Sequence, residues 1–146
     1  SGTTEQKTYA AVKAAGMWCH YNNDPALGAV YGKLYNWFAV KLLQMDIDYY
    51  NAANPSAPWG WGCSSDSDYS IMQTYLAPND ADKIKHAGTL YWTNGTGTNS
   101  SMFTLLPAGY RDELGNYRNI NTSAVLLTTD DNQLKQVGGS LRLIKR

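Results

Sequence analysis

The stretch LLPAGYRDELGNYRNI, residues 105–120, combines strand and turn signals in one ordered run. Two leucines lead into Pro107 and Gly109, an aromatic residue stands beside an Arg–Asp pair, and Gly115 follows. Proline and glycine are the residues at which a chain most readily changes direction. Around this stretch the sequence shows no internal repeat or linker, so we expect a single domain over residues 1–146, long enough to bury a core.

The composition limits the partners that the chain can have. Lys and Arg together number 12, Asp and Glu also number 12, and the formal net charge is zero. We therefore expect no nucleic-acid binding through a basic footprint. Only 16% of the residues are charged, whereas Tyr numbers 11 and Trp 5. Such a surface resembles binding faces, where rigid aromatic rings supply contact area, although a β-rich core with ordinary turns would explain the aromatic residues as well.

The sequence gives no sign of membrane insertion. No apolar run reaches the roughly 18 residues that a membrane helix needs, and the longest, residues 37–43, is interrupted by Lys41. There is no signal peptide, and a first residue Ser1 indicates a processed or trimmed product. The two cysteines, Cys19 and Cys63, could form one bridge in an exported protein.

Helix signals dominate the first half of the chain. Residues 4–15 have a threonine cap and a glycine stop, and residues 33–44 mix helical spacing with strand-favouring aromatic residues, which we interpret as a helix. Ser65, followed by acidic residues, predicts a further helix that ends before Pro78. Its expected apolar stripe consists of Ile71, Met72, Tyr75 and Leu76.

Strand signals dominate the second half. Residues 89–92 and 102–110 read as two strands around a flexible polar loop, and residues 140–146 alternate as a closing strand. A shorter strand is expected at residues 17–21, before the turn cluster NNDP. Helices followed mostly by strands predict an α+β fold with an antiparallel sheet.

No catalytic, metal or cofactor site is predicted. His20 and His86 are far apart in the sequence and neither stands in a metal-ligand pattern. Cys19 and His20 are neighbours on a strand, so their side chains point to opposite faces and cannot act as nucleophile and base. The run SSDSD at residues 64–68 lacks the glycine and the distal glutamate of a calcium loop, and GTGTNSS lacks the lysine of a phosphate-binding loop.

Four segments carry motifs in a fixed order. Residues 17–40 contain Tyr-Asn-Asn-Asp and then Tyr-Gly-Lys-Leu-Tyr-Asn-Trp, residues 57–77 contain Gly-Trp before a helix start, residues 82–120 include Leu-Pro-Ala-Gly-Tyr-Arg, and residues 138–146 begin with Gly-Gly-Ser-Leu-Arg. In this order they resemble the blocks of the Fibrobacter succinogenes major paralogous domain, a bacterial surface-associated family. Its third block ends in Leu-Pro-Gly-Gly-Tyr-Arg and its closing strand reads Gly-Phe-Ser-Val-Arg-Cys.

The resemblance implies a C-type-lectin-like fold, which is similar to that of formylglycine-generating enzymes and of the variable proteins that retroelements diversify. It implies a small twisted antiparallel sheet, two or three helices and long loops on one face. The C-terminal part is shortened, and residues 1–16 form an N-terminal helical segment instead of a strand. In that fold residues 107–109 turn a corner, and Arg111 and Asp112 open a hairpin in which Gly115 supplies a positive φ.

The sequence departs from the family at its cysteines. The paired cysteines of the family fall on Ala57 and Leu143, and Cys63 stands where the family has an apolar residue. A replacement disulfide between Cys19 and Cys63 is possible, and two separate buried thiols are the alternative. The shortened sheet would also expose an edge, which invites pairing with another chain in an oligomer or a larger appendage.

The resemblance implies a non-catalytic module that binds a host-surface glycan or protein outside the cell, on a bacterial or phage surface. Aromatic rings suit the apolar faces of sugars, and amides and hydroxyls suit their polar groups. The candidate ligand contacts are Tyr91, Trp92, Asn94, Asn119, Asn121, Thr129, Asp130 and Asn132. Trp92 could instead belong to the core, and Asn94 could simply form a turn with the glycine that follows it.

A second reading makes the chain a self-assembling subunit of a fibre, pilus or capsid decoration. The sequence barely separates this reading from the first, and both could hold. A third reading, an oxidase like the formylglycine-generating enzymes, needs a reactive cysteine pair near the closing strands. Because the C-terminal half has no cysteine, we expect no enzyme.

Overall fold

The computed structural model describes residues 15–130 and 138–145. Within them the chain forms four α-helices, α1 (Pro25–Tyr31), α2 (Trp37–Ala53), α3 (Asp66–Leu76) and α4 (Asp80–Ile84). The strands are β1 (Trp18–Cys19), β2 (Leu34–Tyr35), β3 (Trp61–Cys63), β4 (Tyr110–Arg111), β5 (Tyr117–Arg118), β6 (Leu126–Leu127), β7 (Ser140–Leu141) and β8 (Leu143–Lys145). This mixture of helices and short strands confirms the predicted α+β class. Apart from Ala15, the predicted N-terminal helix lies outside the described residues.

The segment that enters β7 joins the strand pairs to one another. Gly139 exchanges two backbone hydrogen bonds with Tyr35 of β2, at 2.7 and 2.9 Å, and β2 pairs antiparallel with β1. Gly138 exchanges two with Arg111 of β4, at 2.8 and 2.9 Å, while β7 pairs in parallel with β6. A Cβ on Gly139 would lie 2.9 Å from the carbonyl oxygen of Val125, so a side chain here would push the strands apart.

The strand pair formed by β3 and β8 packs on α2. β3 and β8 pair antiparallel, which confirms the predicted closing strand. The backbone N–H of Cys63 donates to the side-chain oxygen of Gln44 at 2.8 Å, so α2 covers the start of this pair. Buried side chains form two core clusters among the described residues. One contains Val40, Ile47, Cys63 and Leu127, and the other contains Tyr21, Leu34 and Ala108.

The two cysteines belong to different clusters. Cys63 is buried in the first, and Cys19 is half-buried against the second. They are separate thiols, so the replacement disulfide is not formed in this structure. Burial against apolar neighbours suits a thiol as a small hydrophobic group.

The hairpin expected within residues 105–120 is present. β4 and β5 pair antiparallel, and Gly115 in the connection has φ 87°. The carboxylate of Asp112 accepts hydrogen bonds from the backbone N–H of Asn116 at 2.7 Å and from Nε of Arg118 at 3.0 Å. Gly109, at the predicted corner, has φ 65° and is buried. Through its hydrogen bonds to Asn116 and Arg118, the short side chain of Asp112 closes the turn between β4 and β5, as an Asx-type residue commonly does.

We expect the contribution of Asp112 to the stability of the fold to be lost in acid. Its partial desolvation raises the pKa, but the hydrogen bonds from Asn116 and Arg118 outweigh this effect and leave the pKa of Asp112 below its ordinary value. A depressed pKa contributes stability that is present above the unfolded value, about 3.9, and is lost as the pH falls through the folded value. We expect the stability difference between the wild type and Asp112→Asn, measured by urea unfolding, to shrink between about pH 5 and pH 2. A difference that is constant over this range would contradict the assignment.

The two strands expected at residues 89–92 and 102–110 are largely absent, and this prediction was wrong. Residues 89–91 form a turn, Leu105 makes only an isolated bridge with Lys85, and Met102 has φ 59°. A positive φ in a non-glycine residue is incompatible with a regular strand. Only the last predicted position, Tyr110, belongs to a strand.

The polar loop between them is hydrogen-bonded to α4. The carboxylate of Asp82 accepts hydrogen bonds from Oγ1 of Thr96 at 2.7 Å and from Nζ of Lys85 at 3.1 Å. The backbone oxygen of Asp82 accepts from the N–H of Thr98 at 2.8 Å, and that of Lys83 accepts from Ser101. The hydroxyls of Thr98 and Ser101 also donate to the backbone oxygens of Asp82 and Lys83, at 3.3 and 2.8 Å. Bonds of this kind compete with strand pairing, which agrees with the absence of the predicted strands.

The start of each of the first two helices is set by a capping side chain. α2 begins at Trp37, not at residue 33, because Leu34 pairs in β2 and the side chain of Asn36 accepts a hydrogen bond from the N–H of Ala39 at 3.0 Å. It continues beyond the predicted end at residue 44, to Ala53. α1 was missed by the sequence analysis, although the Asp-Pro pair of the NNDP cluster is a start signal, since Asp24 caps the helix and Pro25 is its first residue.

α3 is confirmed, and its apolar stripe is confirmed for Met72 and Leu76 but not for Ile71 and Tyr75. Ser65 and Asp68 form the expected capping box. Met72 and Leu76 are half-buried, whereas Ile71 is 66% and Tyr75 87% exposed. The inward face instead runs through Tyr69, Met72 and Leu76, at the three- and four-residue spacing of one helical face. Among the described residues no helix is long and apolar enough to cross a membrane.

Candidate functional site

Three segments that are distant in sequence meet in what we call the tyrosine cluster, formed by Tyr31, Tyr91 and Asn121. The hydroxyl of Tyr31, at the end of α1, donates a hydrogen bond to Oδ1 of Asn121 at 2.6 Å. The rings of Tyr31 and Tyr91 meet edge to face, with centroids 6.0 Å apart. The backbone N–H of Thr93 donates to the backbone oxygen of Asn121 at 2.8 Å. The turn at Tyr91 and the turn at Asn121 are therefore held together on the end of α1.

The turn that carries Asn121 is fixed by its own backbone. Asn119 and Asn121 have φ 59° and 65°, a left-handed conformation that asparagine tolerates better than most residues. The backbone oxygen of Asn119 accepts hydrogen bonds from the N–H groups of Thr122 at 3.2 Å and Ser123 at 3.0 Å. Such a turn fixes the backbone that carries the exposed side chains of Asn119 and Asn121.

The polar groups of Tyr31 and Asn121 in the tyrosine cluster are neutral hydrogen-bonding groups. Partial burial, and secondly the neighbouring Tyr91 phenol, raise the pKa of Tyr31 above its ordinary value. The Tyr31 phenol therefore stays protonated at neutral pH and keeps its hydrogen bond to Asn121. With its oxygen engaged, Asn121 retains an amide NH₂ group as a donor. The ring of His86 supports Tyr91 from another side, edge to face with centroids 4.7 Å apart.

A groove of about 420 Å³, which we call the α1 groove, adjoins the tyrosine cluster. Tyr31 belongs to both. One wall is the end of α1 with the residues that follow it, and the other is formed by the closing-strand region and by Leu105 and Leu106. The lining residues are Gly28, Ala29, Val30, Tyr31, Gly32, Lys33, Tyr35, Leu105, Leu106, Ser140, Leu141 and Arg142. Its volume lies in the range of small-ligand pockets, roughly 300–1,000 Å³.

Four of the predicted contact residues lie in or next to the tyrosine cluster. Tyr91 is half-buried in the tyrosine cluster, and Asn94, Asn119 and Asn121 are exposed. Asn94 sits in a turn closed by the N–H of Gly95 and the backbone oxygen of Trp92, at 3.2 Å. Because this turn and the Asn119–Asn121 turn are joined by a hydrogen bond, the structure brings these four residues to one region.

Trp92 is a core residue, which corrects its assignment as a ligand contact. Its side chain is 3% exposed, and Nε1 donates to the backbone oxygen of Leu105 at 2.9 Å. The Nζ atom of Lys85 lies 5.2 Å from the centre of the ring. A ring enclosed in this way supports the neighbouring Tyr91 turn from below and leaves no face for a ligand.

Thr129 and Asp130 lie elsewhere, at the start of α3. The N–H of Thr129 donates to the backbone oxygen of Ser64 at 3.0 Å, and the carboxylate of Asp130 accepts from the N–H of Asp66 at 3.0 Å. The Asp130 carboxylate thus satisfies an N–H group in the first turn of α3, and the Thr129 backbone is tied to the residue before that helix, so a contact role is not supported for them. Asn132 lies outside the described residues.

A larger groove of about 660 Å³ lies over Leu34 and Gly138, between β1 and the β4–β5 hairpin. Its lining includes Ala15 and Gly138, each of which borders a segment outside the described residues. The α1 groove, which adjoins the tyrosine cluster, is taken as the candidate site. No group of three or more His, Cys, Asp or Glu residues that could hold a metal ion occurs within residues 15–130 and 138–145.

Sequence reasoning missed Tyr31, Lys33 and Arg142. Tyr31 makes its hydrogen bond across 90 residues, so no local pattern points to it. The part of this site that the sequence does indicate is the turn at Asn119 and Asn121, because two asparagines separated by one residue suggest a fixed polar turn.

Comparisons with known proteins give one match. The model of a family described as the Fibrobacter succinogenes major domain matches residues 1–143. No curated protein and no solved structure matches the chain.

Proposed function

The chain belongs to the Fibrobacter succinogenes major domain family, and from this premise we propose that it is a non-catalytic recognition module that binds a carbohydrate. The binding surface is the tyrosine cluster with the adjoining α1 groove. The module would act outside the cell, on a bacterial or phage surface, with a C-type-lectin-like scaffold carrying the turns.

The observation that carries this proposal is the hydrogen bond from Tyr31 to Asn121 beside the Tyr31–Tyr91 ring contact. It places aromatic carbon surface and a fixed amide donor within one small area. Sugars present apolar C–H faces and hydroxyl groups on the same ring, so they need this combination. The Tyr31 phenol, whose pKa is raised, and the amide of Asn121 are uncharged at neutral pH, which suits binding better than proton transfer.

The fixed geometry of the surface also supports recognition. Asn121 is held through its side chain, its backbone oxygen and its N–H, which donates to the backbone oxygen of Pro107 at 3.0 Å. A surface that is ordered before binding loses less conformational freedom when a ligand arrives.

The test is binding of the full chain to a glycan array, followed by titration of the sugars that bind. We expect Tyr91→Ala to weaken binding about tenfold or more, because a stacked aromatic ring contributes on the order of 1–3 kcal/mol. Asn121→Gly removes the amide while tolerating the positive φ, and we expect a comparable loss. Thermal melting of each variant would show whether the fold is retained.

Tyr75→Ala is the matched control, since Tyr75 is also an aromatic residue, is 87% exposed, and lies on α3. Its binding should equal that of the wild type. If the array shows no sugar bound, or if folded Tyr91→Ala and Asn121→Gly bind as the wild type does, carbohydrate recognition at this surface is wrong. A protein ligand would then be the alternative.

A self-assembling structural subunit is the second candidate. It is favoured by the exposed Ile71 and Tyr75 on α3, and by Trp61, 43% exposed on β3 beside the terminal strand β8. Exposed apolar groups and unpaired strand edges are where chains associate. An increase of mass with concentration in the absence of ligand, measured by analytical ultracentrifugation, would favour this role, and a monomer at all concentrations would exclude it.

A further inference from the structure

We propose that the α1 groove binds the anionic group, a carboxylate or a sulfate, of an acidic sugar. This inference rests on the proposed function, because it assigns a charge to the ligand of the same surface. The tyrosine cluster would hold a sugar ring, and the α1 groove beside it would hold the negative charge.

The charges of the lining carry the proposal. Lys33 and Arg142 line the groove, and none of its described lining residues is acidic. The whole chain has equal numbers of acidic and basic residues, so this local excess is not a consequence of the overall charge. Clefts lined by one sign of charge attract ligands of the opposite sign.

Arg142 is fixed without being neutralised. One of its N–H groups, on Nη2, donates to the backbone oxygen of Thr104 at 3.1 Å, and the guanidinium lies 5.1 Å from the centre of the Phe103 ring. These contacts orient a planar group that carries five N–H donors and matches carboxylate and sulfate geometry. The side chain is exposed and forms no salt bridge with a carboxylate of the described residues.

Lys33 is placed in a similar way on the wall that follows α1. Its Nζ atom lies 3.6 Å from the centre of the Trp18 ring, a cation–π contact that positions the ammonium but leaves its charge in place. It too forms no salt bridge with a described carboxylate. Lys33 and Arg142 therefore both line the groove together with Tyr31, whose hydroxyl belongs to the tyrosine cluster. Their charged ends lie against Trp18 and Phe103, which are not among its lining residues.

The ligand class can be tested with paired sugars that differ in charge. Galacturonic acid oligomers are compared with their neutral methyl esters, and sulfated dextran oligomers with plain dextran oligomers. We expect at least one acidic member to bind about tenfold or more tightly than its neutral partner, and its affinity to fall with added salt. The first pair reports on carboxylate binding and the second on sulfate binding.

Arg142→Gln should remove most of this preference, with a loss of about tenfold for the acidic sugar and little change for the neutral one. Arg111→Gln is a closely matched control. Arg111 is also exposed, donates one hydrogen bond to a backbone oxygen, that of Gly115 at 3.1 Å, and lies 5.6 Å from the ring centre of Tyr117. Lys33→Gln tests the opposite wall independently, in case Arg142→Gln does not fold.

The outcomes separate this inference from the proposed function. Equal binding of the charged and neutral members overturns the anionic assignment and leaves carbohydrate recognition standing. A preference for acidic sugars that survives both Arg142→Gln and Lys33→Gln overturns the assignment to this groove. If no sugar of either kind binds, the proposed function fails as well.

Discussion

Replacing Gly109 with alanine is expected to lower the free energy of unfolding by about 2 to 5 kcal/mol. Gly109 has φ 65°, a conformation that costs a residue with a side chain about 1 to 2 kcal/mol. An added Cβ would also overlap the backbone oxygen of Arg118 and lie 2.8 Å from Cε2 of the buried Tyr21. Because both neighbours belong to packed parts of the fold, neither can move without disturbing the β4–β5 hairpin or the second core cluster.

Urea unfolding of the two proteins measures this loss, and Gly88→Ala is its control. Gly88 has φ 75°, but a Cβ there would meet no atom within 4 Å. The control therefore keeps the backbone cost of about 1 to 2 kcal/mol and omits the overlap. Equal losses at the two positions would show that close packing at Gly109 is not the cause.

Gly109 also shows which parts of the fold the sequence could predict. The corner, the hairpin and the φ of Gly115 follow from residues that are neighbours in the chain, as does the Ser65–Asp68 capping box. In these places local chemistry and tertiary structure favour the same conformation, and the predictions were confirmed.

The prediction failed where a distant partner decides the structure. Residues 89–92 have the composition of a strand, but residues 89–91 form a turn. The loop that follows is hydrogen-bonded to α4 through the hydroxyls of Thr98 and Ser101. The stripe on α3 was predicted correctly at Met72 and Leu76, but its third inward residue is Tyr69, which contacts Ser64, rather than Ile71 or Tyr75.

The candidate site was predicted in part for the same reason. Asn119 and Asn121 could be recognised because their type suits a turn, whereas Tyr31 is joined to Asn121 only by the fold. Trp92 was chosen because aromatic residues are frequent in binding faces, yet large aromatic rings are equally the main contributors to cores. Composition cannot separate these two uses, and burial does.

Trp92→Ala is expected to lower the free energy of unfolding by about 3 to 5 kcal/mol, the usual cost of removing a large buried aromatic side chain. The indole of Trp92 is 3% exposed and joins the Tyr91 turn to the chain at Leu105. Trp92→Phe retains most of the ring but loses the hydrogen bond to Leu105, so a smaller loss of about 1 to 2 kcal/mol is expected. Urea unfolding measures both.

Measuring sugar binding by the same variants distinguishes a core role of Trp92 from a ligand-contact role. Folded Trp92→Phe should bind the same sugars as the wild type, because the phenyl ring still supports the Tyr91 turn and Trp92 has no face for a ligand. Trp59→Ala, which removes a tryptophan that is 45% exposed, should cost only about 1 kcal/mol. If Trp92→Ala were no more damaging than Trp59→Ala, or if Trp92→Phe abolished binding while remaining as stable as the wild type, Trp92 would be a contact residue and its place in the core would be wrong.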